Sequence, residues 1–203
     1  DSLGVRLPRA ATKLRSFWEM KAVNRVLRGK TDQEILNCPF MTDPFRQAAV
    51  RIAKSALIAF YIGGYSRDMG VLLFRMIRIC FRHGLCVQTP HWLAAYAVML
   101  FSMNRLSEAF RFGGLALEMA RRLGGEIVQA QYLVNSQIRH WREPLQDCCT
   151  ALQGNYSRAL ELGDVDYSAY CAVQYCYLAF AAGRGLENLL SETEDYSRVL
   201  QQQ

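Results

Sequence analysis

Gly84, Gly124 and Gly163 each close a run of apolar residues, and their spacings are 40 and 39 residues. A near-constant spacing of this size marks a helical-repeat array, because each unit buries its apolar face only by stacking on a neighbour. The stretch from Leu106 to Asp164 shows the unit most clearly. It reads as helix, turn, helix, turn, helix, and two of the helices close on Leu-Gly, at Leu123-Gly124 and Leu162-Gly163. Within its first helix, Leu106, Ala109, Phe110, Gly113, Leu117, Ala120 and Leu123 recur at helical spacing, with Glu108, Arg111, Glu118, Arg121 and Arg122 largely on other faces. Arg121 and Arg122 complement the negative end of the helix dipole, and Gly124 suits a left-handed cap. Ala109, Gly113 and Ala116 are small enough to let a neighbouring helix approach closely.

The same period predicts helices along the rest of the chain. Pro8 to Leu27 is amphipathic and basic. Thr31-Asp-Gln-Glu34 is a capping-box pattern that opens a short helix to Leu36. Asp43 is a natural N-cap and Pro44 a natural first helical residue for a helix to about Ile62. Gly63-Gly64 breaks it, and a further helix runs from about Ser66 to His83. Thr89-Pro90 repeats the cap-then-proline device for a helix to Met103. Helices are then predicted over roughly Glu126–Trp141, from Pro144 to Leu162, from Asp166 to Ala182 and from Leu186 to Leu200. No run alternates with period two, so no strand is expected. The fold class predicted is all-α, a TPR-like α-α superhelix built as a solenoid of antiparallel helix pairs. The domain division predicted is a basic N-terminal helix and short capped helix over 1–38, then the helical-repeat domain over 39–203.

The 203 residues begin at Asp1 and end in Gln-Gln-Gln, which reads as an excised piece of a longer protein. No stretch approaches the ~20 apolar residues that cross a bilayer, so no membrane span is expected. The formal charge of +6 is concentrated at one end. Eight basic residues up to Lys30 stand against Asp1 and Glu19, and the remaining 16 basic residues are balanced by 16 acidic ones. A basic helix without a binding motif, followed by a neutral array, argues against a nucleic-acid partner. Seven cysteines, an odd number with no framework spacing, read as buried thiols in a reducing compartment, hence a cytoplasmic location.

Three constellations invite chemistry, and each fails a physical requirement. Gly29-Lys30-Thr31 resembles the end of a phosphate loop, but Asn24 stands where that loop needs glycine, and a helix precedes it rather than a strand. Cys80, His83, Cys86 and His91 have metal-like spacing, yet ligands three residues apart drift by about 60° per step around a helix. Ser136 and His140 lie one turn apart near Glu143 and Asp147, with no nucleophile turn or oxyanion hole in the sequence. No catalytic residue, metal or cofactor is therefore assigned to this chain. The C-terminal half is rich in tyrosine: Tyr132, Tyr167, Tyr170, Tyr175 and Tyr177. In a solenoid the first helix of each pair usually lines the concave face. That geometry would expose parts of Tyr96, Asn135, Arg139, Tyr170 and Gln174 as a groove for a peptide or small molecule.

Several motifs carry a family resemblance. Glu-Ala followed by Ala-Leu-Glu-x-Ala-x-x-Leu-Gly, ending at Gly124, looks like the second helix of a tetratricopeptide-type hairpin, without that repeat's Trp and Pro landmarks. Met41-Thr42-Asp43-Pro44 followed by Gln47-Ala-Ala-Val-Arg-Ile52 resembles a segment of large multidomain signalling kinases. These join a serine/threonine kinase-like domain, a STAND-type AAA ATPase, a helical-repeat region, a GAF domain and a histidine kinase. Further matching positions are Tyr61-Ile62-Gly63, Tyr96-Ala97, Arg111-Phe112-Gly113, His140-Trp141-x-Glu143-Pro144, Leu162-Gly163-Asp164-x-x-Tyr167 and Tyr175-Cys176, and they cover the chain from about Leu27 onward.

The resemblance implies a position after the ATPase and before the GAF and histidine-kinase domains. It implies a non-catalytic sensor or regulatory module of a two-component system, with ATP bound elsewhere in the parent. The implied partners are the ATPase, GAF and kinase domains of the same chain. A peptide or small-molecule ligand, and a homodimer formed through an apolar strip, are further candidates. The rival expectation is a ligand-receiving arm of a STAND-type transcription regulator.

Overall fold

The structure, a computed structural model, describes residues 12–124 and 127–201. They form α1 (Lys13–Leu27), α2 (Asp32–Leu36), α3 (Pro44–Ile62), α4 (Ser66–His83), α5 (Thr89–Ser102), α6 (Leu106–Leu123), α7 (Ile127–Gln137), α8 (Leu145–Glu161), α9 (Val165–Ala181) and α10 (Leu186–Leu200). The fold is all-α. Among the described residues the sole β feature is an isolated parallel bridge between Phe40 and Leu85. The predicted first turn of the N-terminal helix, 8–11, and Glu126 at the start of α7 lie outside the described residues.

Residue pattern explains which helices sit centrally. On α4 and α6 the apolar residues keep to one stripe, and those helices bury one face. α5 is apolar all round, so it must be covered on several sides, and it packs on α4, α6 and α7. Trp92, Leu93, Tyr96 and Leu100 of α5 are fully buried. α7 continues the pattern by packing on α5, α6, α8 and α9. A second apolar cluster forms around Cys148, Leu152, Cys171, Tyr175 and Leu178 between α8 and α9.

The N-terminal helices join the main core. α1 packs on α4, and Val23, Leu27 and Ile35 belong to the same cluster as Trp92.

The local signals at most helix ends behave as chemistry dictates. Thr31 and Glu34 form the reciprocal capping box. Asp43 Oδ1 accepts from the backbone N–H of Phe45 at 2.9 Å and of Arg46 at 3.3 Å. Asp164 accepts from Tyr167 N–H at 3.2 Å. It also takes a hydrogen bond from the Gln129 amide, which ties α9 to α7. α4, α6 and α8 end at the three evenly spaced glycines, which are not equivalent. Gly124 and Gly163 have φ of 67° and 69°, whereas Gly84 has φ of 113° and ψ of 159°.

Two expectations are corrected. Thr89 does not cap α5: it is itself helical, and its buried hydroxyl accepts from the backbone N–H of Cys86 at 2.8 Å. The helix expected to reach Trp141 stops at Gln137, and Arg139–Trp141 form a single 3-10 turn. The Ser136 hydroxyl bonds the Tyr132 carbonyl at 2.6 Å, a side-chain competitor that bends helices. Pro144 also disfavours helical backbone at Glu143.

Candidate functional site

The five residues expected to line a groove do not assemble into one. Tyr96 is 1% exposed and its hydroxyl donates to Asn24 Oδ1 at 3.4 Å, bridging α5 to α1. Asn135 is 3% exposed. The exposure expected for both is therefore corrected: α5 and α7 are covered on the faces that carry them. Arg139 is committed internally, donating to Asn135 Oδ1 at 2.8 Å and ion-pairing with Glu143. Tyr170 remains 38% exposed and Gln174, one turn further along α9, is half-buried.

Tyr170 packs against two other tyrosines of the tyrosine-rich C-terminal half. Its ring centroid lies 5.9 Å from Tyr132 and 5.5 Å from Tyr167. Tyr132 and Tyr167 meet edge-on at 5.6 Å. Burial pushes the Tyr132 phenol up to about 12, so it stays protonated near neutrality. His140 and Trp141 stand at the turn before Pro144. Trp141 is largely exposed, with its ring 5.5 Å from that of Phe101.

Two cavities are better formed. The first, about 340 Å³, lies where the Pro39–Met41 strap crosses the turn between α4 and α5. Its walls include Phe40, Met41, Gln47, Arg51, Leu85 and Cys86. Met41 N–H donates to the Leu85 carbonyl at 2.8 Å and Leu85 N–H to the Pro39 carbonyl at 2.7 Å. The Gln47 amide closes onto the Met41 carbonyl from α3. The Met41-Thr42-Asp43-Pro44 segment thus docks one end of α3 onto that turn, with Met41 buried and Thr42 exposed.

The second cavity, about 430 Å³, is an apolar groove between α9 and α10. Val173, Tyr177 and Phe180 line it from α9, Leu189, Tyr196 and Leu200 from α10. Val173, Tyr177 and Phe180 are all more than half exposed. Their spacing of four and three residues is visible in the sequence, but α9 is apolar on several faces, so periodicity alone does not say which one stays open.

The metal-like set separates. Among the described residues no group of three or more His, Cys, Asp and Glu side chains is placed to hold a metal ion. His83 contacts Arg46 at 2.9 Å. His91 is buried against Trp92, with neither ring nitrogen hydrogen-bonded. Cys80 and Cys86 lie on either side of the Gly84 turn, and the Cys86 thiol stands 3.5 Å from the Thr89 hydroxyl.

His91 gives a pH prediction. Burial, with a smaller contribution from the charge of Lys54, holds its pKa at about 3. In the unfolded chain histidine protonates near pH 6.5, so between those values the unfolded state binds the extra proton. Stability is complete above about pH 6.5 and falls with acidification by about 1.4 kcal/mol per pH unit. Urea unfolding at pH 7 and pH 5 is expected to differ by about 2 kcal/mol from this residue. His91→Phe, which keeps a ring against Trp92, should flatten the slope by that amount.

Compared with known proteins, the chain matches no family model, no curated protein and no solved structure at a significant level. Among the described residues, no helix is long and apolar enough to cross a membrane.

Proposed function

We propose that this chain is a non-catalytic interaction module, a TPR-like array of antiparallel helix pairs that couples partner or ligand binding to the output of a multidomain signalling kinase. The observation that carries this reading is the open apolar groove between α9 and α10. A contiguous exposed apolar surface marks a docking site, because leaving it in water is unfavourable. The array geometry is supported by the glycines that end α4, α6 and α8 and by the packing of α5 on α7 and of α7 on α9. The sequence resemblance points to the ATPase, GAF and kinase domains of a parent chain as partners, with ATP bound there.

The test uses a parent kinase that carries this region. Deleting it is expected to change regulated phosphorylation while leaving the isolated kinase domain's chemistry intact. The pair Tyr177→Asp and Phe180→Asp, which charges the groove without touching the main core, should reproduce the deletion. Regulation unchanged by both would refute the module. Static light scattering of the isolated chain distinguishes a groove that pairs two copies from one that receives another domain.

A second reading, the ligand-receiving arm of a transcription regulator, is favoured by the exposed edge of the Tyr132–Tyr167–Tyr170 cluster. GAF and histidine-kinase motifs in the parent would support the first reading, a helix-turn-helix the second.

A further inference from the structure

We propose that the groove between α9 and α10 receives α1 of a second copy, so that chains associate head to tail. The proposal rests on the reading of that groove as a docking site and commits to its occupant. α1 turns Glu19, Val23 and Leu27 inward where it packs on α4. The helical period puts Leu14, Phe17, Trp18, Lys21, Arg25 and Arg28 within an arc of about 100° on the opposite side. All six are exposed. Glu19, the one acid of this helix, is held by Arg75 and Arg78, so the open face carries positive charge alone.

The last two helices have the opposite sign. Residues 13–28 hold five basic side chains to one acid, whereas residues 165–201 hold five acids to two arginines. Both arginines are engaged within the chain, Arg184 by Glu192 and Arg198 by Asp195. Glu187 and Glu194 remain exposed, with no ion pair among the described residues. On α10 they lie beside Leu186 and Leu190, which are exposed and continue the apolar face of the groove.

The charges match in spacing as well as in sign. Lys21 and Arg28 are seven residues apart, as are Glu187 and Glu194, which is about 10 Å along either helix. Antiparallel docking of α1 on α10 pairs Lys21 with Glu194 and Arg28 with Glu187. It also lays Leu14, Phe17 and Trp18 over the Tyr196 and Leu200 end of the groove. A parallel setting would carry those three side chains past the start of α10 and off the groove. Burial of the aromatic rings supplies affinity, and the charged rim sets direction and register. Within one chain α1 packs on α4 and α10 on α9, so the contact forms between copies. Joining two different surfaces produces a ring or an open filament, not a two-fold dimer.

Sedimentation velocity of the full chain is expected to show a mass that grows with concentration past that of a dimer, and less so in high salt. Lys21→Glu with Arg28→Glu should weaken self-association about tenfold or more, and so should Glu187→Lys with Glu194→Lys. Mixing the two double variants should restore association, because the acidic α1 of one then meets the basic α10 of the other. Carbodiimide cross-linking of the unmutated chain, mapped by mass spectrometry, should join Lys21 to Glu194 between copies, a result that does not depend on how the variants fold. A chain that stays monomeric, or variants that mixing does not rescue, would overturn the proposal. So would capture of a monomeric chain through α1 by phosphatidylserine vesicles, which would assign that face to a lipid surface. A monomer leaves the part of the groove in kinase regulation standing, since that is read separately from the deletion and the Tyr177 and Phe180 variants in the parent.

Discussion

Gly84→Ala is expected to be among the most damaging single-atom additions in this protein. A Cβ at Gly84 would lie 2.5 Å from the Met41 nitrogen and the Phe40 carbonyl carbon, and 2.7 Å from Met41 Cα. Those are backbone atoms, so no side-chain rotation relieves the overlap. The glycine also sits at φ of 113°, in a region that other residues avoid at a cost of about 1–3 kcal/mol. Relief requires the strap to lift, which breaks the two Leu85 backbone hydrogen bonds and exposes Met41. Losing the burial of a methionine costs about 2–5 kcal/mol by itself, so a total near 4 kcal/mol is expected from the shift in urea midpoint. Gly124→Ala is the control. Its φ of 67° is also left-handed, but a Cβ there meets nothing within 4 Å. It should cost only about 1–2 kcal/mol, the conformational penalty alone. Equal losses at the two glycines would show that strap docking is unimportant.

Glu19→Ala is expected to have a comparable effect, by electrostatics. Glu19 lies buried on α1 and meets Arg75 at 2.9 Å and Arg78 at 3.2 Å, both on α4. Its side chain is 8% exposed and that of Arg75 12%. Removing the carboxylate leaves a nearly buried guanidinium unpaired, which typically destabilises by about 3–5 kcal/mol. Arg78 is more open to water, so about 3 kcal/mol is the better expectation. The effect should persist in high salt, because buried pairs are poorly screened. Combining Glu19→Ala with Arg75→Met should recover part of the loss, since it removes the buried charge that the single variant leaves unpaired. Thermal unfolding of the two single variants and the double variant decides it. Additive losses would mean that the two side chains are not coupled.

Helix identity was legible in the sequence because it is local chemistry. The capping box at Thr31, the Asp43-Pro44 start, the helix Leu106–Leu123 and the stop at Gly124 all follow from residues within a turn or two of each other. Thr89 and Ile138 mark where this logic ended. Thr89 looked like a cap because Pro90 follows it, yet a turn hydrogen bond to Cys86 claimed its hydroxyl. Ile138 carries no breaker, and the α-helix before it still ends.

Tertiary structure alone decided which faces stay open and which distant groups meet. A helix with one apolar stripe announces the side that it buries, as α4 and α6 do. α5 and α9 are apolar on several faces, and such a helix carries no direction. That is why Tyr96 is buried where exposure was expected, while Tyr177 and Phe180 line an open groove. Cys80, His83, Cys86 and His91 had visible spacing, but spacing does not say whether such side chains converge on one point, and here His83 turns to Arg46 while His91 is buried against Trp92. The turn after α4 likewise depends on a distant segment, because the missing Cβ of Gly84 lets the Met41 backbone settle onto it.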